Sequence, residues 1–176
     1  DTAFYDRVQQ RVLAAMSDEG LDGFLTDDPE DIAYLTGFFH HPSERPVAVW
    51  LSGDGRVVLL LPELEREYAA SQSARGESVT FFEYPGVVAP FAALAAAVSP
   101  RGRVGFAPGM SYRRLTTARS AMPDADLGAS DLLTRARFVK FDEEIVLHRE
   151  AARITDLMLD AGVALVTEAI AAGGEL

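Results

Sequence analysis

Residues 28–38 read DPEDIAYLTGF, and this stretch determines how the rest of the chain is interpreted. Asp28 is a typical helix N-cap, because its carboxylate accepts hydrogen bonds from the free N–H groups of the first turn, and Pro29 suits the first helical position. Gly37 is expected to end the helix in the left-handed conformation that glycine adopts readily. The stretch therefore predicts a short helix with defined ends, followed by a polar loop.

A β-hairpin is predicted directly after that loop. Two apolar, β-branched runs, at 46–51 and 56–61, are separated by Ser-Gly-Asp-Gly at 52–55, a pattern typical of two antiparallel strands joined by a short turn. Because strands alternate with helices and the hairpin requires an antiparallel pair, we predict an α/β fold with a mixed β-sheet flanked by helices. Apolar spacing predicts the other elements: helices at 4–16, 63–73, 89–98 and 112–121, and strands at 21–26, 79–84, 103–107 and, as an edge strand, 124–128.

The C-terminal segment differs from the rest. Asp142 suits a helix cap, and helical periodicity then continues from 145 to 170, with Gly162 as a candidate break into two helices. A helix this long exceeds what a domain of this size needs, so we place a boundary after residue 137 and assign 138–176 to a linker and the first helix of a following domain. The chain begins without Met and ends on a turn signal, so we expect it to be a piece of a longer protein.

Composition excludes several classes of function. Of 176 residues, 48% are hydrophobic and 24% are charged, which is typical of an ordered globular protein. The absence of cysteine excludes disulfides, thiolate metal sites and a cysteine nucleophile. A net charge of −11 repels phosphate backbones, so nucleic acid is not an expected partner. No apolar run reaches the ~20 residues of a membrane span and no leader is recognisable, so we expect a cytoplasmic protein without membrane association.

No self-contained active site is apparent from short motifs. His40 and His41 are adjacent, so in extended backbone their rings point to opposite sides and cannot chelate one ion together. Glu144 and His148 share a helical face and suit two ligands of a metal, but a solvated pair is the favoured interpretation without further ligands. We therefore assign no metal ligand and no catalytic residue to this chain.

Two groups of side chains are given structural roles. The aromatic residues Tyr34, Phe38 and Trp50 are predicted to lie in the core, with a pocket or partner contact as the alternative. A run of arginines is predicted to be a solvated face rather than a site for an anionic partner, and it comprises Arg101, Arg103, Arg113, Arg114 and Arg119.

Two stretches carry a resemblance to a known family. Residues 28–38, followed by Glu-Arg-Pro at 44–46, resemble the form DPE-(N/D)-I-x-Y-L-(T/S)-G-F, then a loop and an Arg-Pro that opens a strand. Residues 137–145 read RFVKFDEEI and 149–152 read REAA, which resembles R-x-x-K-(S/T)-x-x-E-I-x-x-(L/M)-R-x-A, with Phe141 departing from the usual Ser or Thr. Both forms are those of the N-terminal domain and linker shared by creatinase, prolidase and aminopeptidase P.

The resemblance implies a creatinase N-terminal-like, ribonuclease H-like fold, followed in the family by a catalytic domain with the pita-bread fold. In the Xaa-Pro peptidases of the family that domain binds two divalent metal ions, whereas creatinase itself uses none. The parent protein is thus expected to be a metallopeptidase holding two Mn, Co or Zn ions. The metal-binding positions would lie beyond residue 176, so the chain alone is expected to have neither a cofactor nor hydrolase activity.

The resemblance also implies how this domain acts. In the family it supports dimerisation and closes over the active site of the partner subunit, and an arginine in the loop before the Arg-Pro strand reaches the neighbour's substrate. Arg45 matches that position, and His40 and His41 lie in the same loop, so these three residues are expected to bind substrate in trans. Ser43 stands where creatinase has an aromatic residue, which counts against creatine as substrate. A solvated Arg45 paired with Glu44 is the structural alternative.

The expected function is therefore that of a non-catalytic domain for dimerisation and substrate gating in an Xaa-Pro dipeptidase or aminopeptidase P-like metallohydrolase. Its expected partners are a second copy of the chain and its own C-terminal catalytic domain. Two alternatives stay open: a binding or interaction module of a catalytically inactive family member, and the N-terminal domain of a creatinase- or ectoine-hydrolase-like enzyme that acts on a non-peptide C–N bond.

Overall fold

A computed structural model describes residues 2–81 and 89–173. The chain divides into two compact units, Asp1–Ala136 and Arg137–Leu176. The strands of the first unit are β1 Gly23–Thr26, β2 Ala48–Ser52, β3 Val57–Pro62, β4 Glu77–Phe81, β5 Gly102–Phe106 and β6 Ala125–Ala129. The helices are α1 Thr2–Glu19, α2 Pro29–Thr36, α3 Arg66–Ser71, α4 Pro90–Val98, α5 Tyr112–Ala121, α6 Leu132–Phe138 and α7 Asp142–Ala171, with a 3-10 turn at Glu63–Glu65.

The strands form one six-stranded sheet in the order β4-β3-β2-β1-β5-β6. Strands β1, β2 and β3 are antiparallel neighbours, while β4 joins β3, β5 joins β1 and β6 joins β5 in parallel. The predicted hairpin is therefore confirmed, and it lies inside the sheet. The mixed α/β architecture is confirmed as well, with β6 at an edge as expected.

The core lies on both faces of the sheet, because successive strand residues point to opposite sides. On one face, Trp50, Leu60 and Val104 belong to a cluster that also contains Leu94 of α4 and Ala118 of α5. Buried apolar residues of α1 and α2 form the other large set, and they are Val8, Val12, Met16, Ile32 and Leu35. The predicted core aromatics Tyr34, Phe38 and Trp50 are all buried.

Helix α2 has the ends that its sequence predicts. The Asp28 carboxylate accepts hydrogen bonds from the backbone N–H groups of Glu30 and Asp31, at 2.9 and 3.0 Å. Gly37 has φ +76° and closes the last turn through its N–H, which donates to the Ala33 carbonyl. The direction in which the chain leaves α2 is therefore fixed at both ends of the helix.

Several predicted elements differ from the structure. The helix predicted at 63–73 is a 3-10 turn followed by the short α3, and the strand predicted at 79–84 begins earlier, at Glu77, while 82–84 lie outside the described residues. Helix α6 was not predicted, because the sequence gives it only about two turns. Buried Leu132 and Leu133 stabilise it, and Ser130 Oγ accepts the N–H of Leu132 at 3.2 Å.

The long C-terminal helix is confirmed, with two corrections. Phe141, not Asp142, is the N-cap residue, and the carboxylate of Glu144 accepts its N–H at 2.8 Å, so a side chain from inside the first turn caps the helix. Gly162 does not interrupt α7, since one glycine costs a helix only about 1 kcal/mol. The assignment of 138–176 to the start of a second domain stays a prediction. In the described part of the chain, no helix is long and apolar enough to cross a bilayer.

Candidate functional site

The predicted substrate-binding residues all lie in the segment that connects α2 to β2, here called loop 38–46. Gly37 turns the chain out of the helix, and the Thr36 hydroxyl accepts the N–H of Phe38 at 3.1 Å. The side chain of Phe38 is fully buried, and Val47 is buried just before β2. Loop 38–46 is thus anchored in the core at both of its ends.

The first half of loop 38–46 is held from the side of α3. The ring of His40 stacks on the ring of Phe38, with centroids 5.3 Å apart and planes within 7°, and Tyr68 meets Phe38 edge to face. The side-chain amide of Gln72 forms two hydrogen bonds with the backbone of Phe39: it accepts the N–H at 2.9 Å and donates to the carbonyl at 2.8 Å. These contacts fix the backbone before the loop turns outward.

The second half of loop 38–46 is held by Arg114 of α5. One guanidinium nitrogen, Nη1, lies 2.9 Å from the carboxylate of Asp27, and the other, Nη2, donates to the backbone carbonyl of Ser43 at 2.9 Å. The side chains of Arg114 and Asp27 are only 22% and 8% exposed. The prediction of a solvated arginine face is therefore wrong for Arg114, although Arg101, Arg103, Arg113 and Arg119 are exposed.

The three predicted site residues differ in their surroundings. His40 is half-buried, and its Nδ1 is buried without a hydrogen-bond partner among residues 2–81 and 89–173. His41 is exposed. The side chain of Arg45 is 39% exposed, and its Nε lies 4.0 Å from a carboxylate oxygen of Glu44, a distance at which an exposed ion pair contributes little. The Ser43 hydroxyl accepts the N–H of Arg45 at 3.2 Å. Substrate binding by these residues stays a prediction.

Residues 9–139 match the family model of the Creatinase/Prolidase N-terminal domain. The chain belongs to this family. The resemblance inferred from the DPEDIAYLTGF and RFVKFDEEI segments is thereby confirmed, since the match spans the first segment and reaches into the second.

Known proteins similar to this creatinase/prolidase N-terminal domain carry peptidase names. An uncharacterized peptidase of Staphylococcus aureus is 25% identical over 166 residues, which cover 91% of this chain and 44% of that protein. The solved Xaa-Pro dipeptidase from Bacillus anthracis has a TM-score of 0.74 at 22% identity, covering 92% of this chain and 43% of that one. The prolidase from Thermococcus sibiricus has a TM-score of 0.77 at 20% identity, covering 92% and 44%. The present chain spans less than half the length of these relatives.

Glu144 has a structural role in α7, because its carboxylate accepts the N–H of Phe141 at the start of the helix. His148, four residues later, is exposed on the same helix. Among the described residues, no group of three or more histidine or acidic side chains is arranged to hold a metal ion. The assignment of no metal ligand to Glu144 and His148 stays a prediction.

We expect the stability of this domain to fall in mild acid because of His40. Burial lowers the pKa of His40; Glu65 opposes the change, and His41 and Arg114 add to it. The folded chain thus binds the proton less tightly than the unfolded chain, whose histidine titrates near pH ~6.5. The stability due to neutral His40 is present above that pH and is lost as the pH falls towards the lowered pKa.

Urea unfolding of the chain and of His40→Gln between pH ~7.5 and ~5 measures this effect, since the variant removes the titrating group. The variant should show a shallower loss of stability on acidification than the parent chain. Identical pH profiles for the parent and His40→Gln would contradict the prediction.

Proposed function

We propose that this chain is the non-catalytic N-terminal domain of an Xaa-Pro dipeptidase or aminopeptidase P-like metallohydrolase, where it supports dimerisation and gates the active site of the partner subunit. Family membership and the peptidase names of the relatives support this proposal. The observation that carries it is loop 38–46, which is held rigidly on two sides and presents Arg45 towards solvent next to a strand that begins the hairpin.

The chemistry of Arg45 suits such a role. A guanidinium presents a planar fork of N–H donors that matches a carboxylate, such as the free C-terminus of an Xaa-Pro dipeptide. In this proposal the two divalent ions and the hydrolytic step belong to the catalytic domain, and the present chain contributes substrate binding and closure.

Helix α7 supports the expected contact with a catalytic domain. None of the residues of α7 is buried, and many of its large apolar side chains are exposed to solvent. Leu147 is 70% exposed and Leu165 is 68% exposed. In the longer protein we propose that the chain's own catalytic domain covers these side chains, because a soluble helix rarely leaves so much apolar surface in water.

The proposal is tested by Arg45→Ala in the full-length protein. We expect kcat/KM for an Xaa-Pro dipeptide to fall roughly tenfold or more, the loss of one charge-assisted hydrogen bond, with KM taking most of the change. The thermal midpoint should barely move, because Arg45 lies in an exposed loop. Arg101→Ala, at an exposed arginine outside loop 38–46, is the matched control.

Unchanged kinetics for Arg45→Ala would remove the gating role from loop 38–46. A full-length protein without Xaa-Pro peptidase activity would instead favour the interaction-module alternative. Activity on a non-peptide C–N bond would favour a creatinase-like enzyme.

A further inference from the structure

We infer that Arg114 is a positioning residue: it bridges Asp27 and Ser43 and thereby sets the place of loop 38–46 and of Arg45 within it. The contact itself is independent of any activity, and its catalytic consequence rests on the proposed function. We refer to the two interactions of this guanidinium as the Arg114 bridge.

The Arg114 bridge joins three parts of the fold that are distant in sequence. Asp27 directly follows β1, Arg114 lies in the first turn of α5, and Ser43 lies in loop 38–46. The carboxylate of Asp27 orients the guanidinium by engaging Nη1, so Nη2 is directed at the Ser43 carbonyl, both at 2.9 Å. Low exposure of both charged groups strengthens the pair relative to a surface ion pair.

The position of Ser43 determines that of Arg45. The Ser43 hydroxyl accepts the N–H of Arg45 at 3.2 Å, and the following Pro46 restricts the backbone of Arg45 to extended conformations. The other side of the loop is fixed at Phe39 by the amide of Gln72. Loop 38–46 is thus fixed at Phe39 and at Ser43. Arg45 lies two residues after Ser43, whose position depends on Arg114.

Arg114 can be removed without dismantling the fold. Helix α5 packs through Ala118, which is fully buried, and through the partly buried Leu115, and neither contact involves the guanidinium. The N-cap of α5 also uses backbone atoms of Arg114, since its N–H donates to the Ser111 hydroxyl whatever the side chain is. We therefore expect Arg114→Ala to keep the packing of α5 and to lose order in loop 38–46, with a loss of stability because the nearly buried carboxylate of Asp27 loses its ion-pair partner.

The test measures backbone order by 15N NMR relaxation on the 176-residue chain. In Arg114→Ala, order parameters at residues 40, 41 and 43–45, which carry backbone N–H groups, should fall from about 0.85, typical of rigid backbone, to below about 0.6. Arg113→Ala, at the exposed neighbouring arginine, should leave them unchanged. Arg114→Lys should not restore order, because an ammonium is a point charge and lacks the fork that reaches both partners.

Asp27→Asn is the second variant, and it should produce a smaller loss of order in the same residues because it weakens the orienting ion pair. Unchanged order in a folded Arg114→Ala chain would overturn the inference. Full restoration by Arg114→Lys would also overturn it, since charge alone would then suffice.

Kinetics of the full-length protein separate this inference from the proposed function. If both hold, Arg114→Ala should raise KM for an Xaa-Pro dipeptide several-fold, and combining it with Arg45→Ala should add little to the single Arg45 change. Loss of loop order with unchanged kinetics in both single variants would leave the Arg114 bridge standing and refute the proposed function. Impaired kinetics in Arg45→Ala together with a rigid loop in Arg114→Ala would support the proposed function and refute the positioning role of Arg114.

Discussion

Phe38→Ala is expected to lower the free energy of unfolding of the first unit by about 3–5 kcal/mol, the usual cost of truncating a fully buried phenylalanine. The side chain of Phe38 is completely buried and also supports the rings of His40 and Tyr68. Its removal leaves a cavity beneath the start of loop 38–46, so the loss of stability should be accompanied by greater mobility of His40.

Denaturant unfolding followed by tryptophan fluorescence measures this effect, because Trp50 is the only tryptophan and is buried in the first unit. The adjacent Phe39→Ala is the matched control. Phe39 is 63% exposed, and its hydrogen bonds to Gln72 use only backbone atoms, so its truncation should cost less than about 1 kcal/mol. Similar effects of the two truncations would mean that the ring of Phe38 does not anchor loop 38–46.

The sequence was sufficient to predict the parts of the fold that depend on neighbouring residues. The cap at Asp28, the end of α2 at Gly37 and the β2–β3 hairpin each rest on a few consecutive residues whose local preferences agree. Family membership followed from the same segments, because they combine a helix, a loop and a strand at a defined spacing.

The contacts that position loop 38–46 could not be predicted in this way. Ser43 and Arg114 are 71 residues apart, and Phe39 and Gln72 are 33 apart. Neither contact has a local signal, because the acceptor or donor on the loop is a backbone group that every residue carries. Within a run of five arginines, only the fold distinguishes Arg114, whose side chain turns inward, from its exposed neighbours.

The start of α7 also could not be predicted to the residue from the sequence alone. Asp142 has the right residue type for an N-cap, yet Phe141 occupies that position, and the carboxylate of Glu144 accepts the N–H of Phe141. A capping side chain at either position gives a similar sequence pattern, and only the backbone conformation separates them.

Loop 38–46 therefore combines a fixed beginning, which the sequence predicts, with a position in space that depends on tertiary contacts. Gly37 contributes both to the fixed beginning of the loop and to its tertiary contacts. It ends α2 in a left-handed conformation and points the chain towards Phe38, while its missing side chain leaves room for Tyr5 of α1.

Gly37→Ala is accordingly expected to destabilise the first unit by roughly 2–5 kcal/mol. The left-handed backbone at φ +76° costs a residue with a Cβ atom about 1–2 kcal/mol. The new Cβ would also lie 2.8 Å from the hydroxyl oxygen of Tyr5 and 2.9 Å from its ring, so α1 or the Tyr5 side chain must move, at a further cost of about 1–3 kcal/mol.

Gly128→Ala is the control for this change, because φ at Gly128 is not positive and a Cβ there would meet nothing within 4 Å. Tryptophan fluorescence should show a stability change of less than about 1 kcal/mol for the control. If the proposed function holds, Gly37→Ala should in addition raise KM of the full-length protein for an Xaa-Pro dipeptide, because loop 38–46 would leave α2 in a different direction and carry Arg45 with it. A Gly37→Ala chain as stable as the parent would show that α1 and the loop adapt to the Cβ atom, and the fixed exit from α2 would then no longer explain where Arg45 lies.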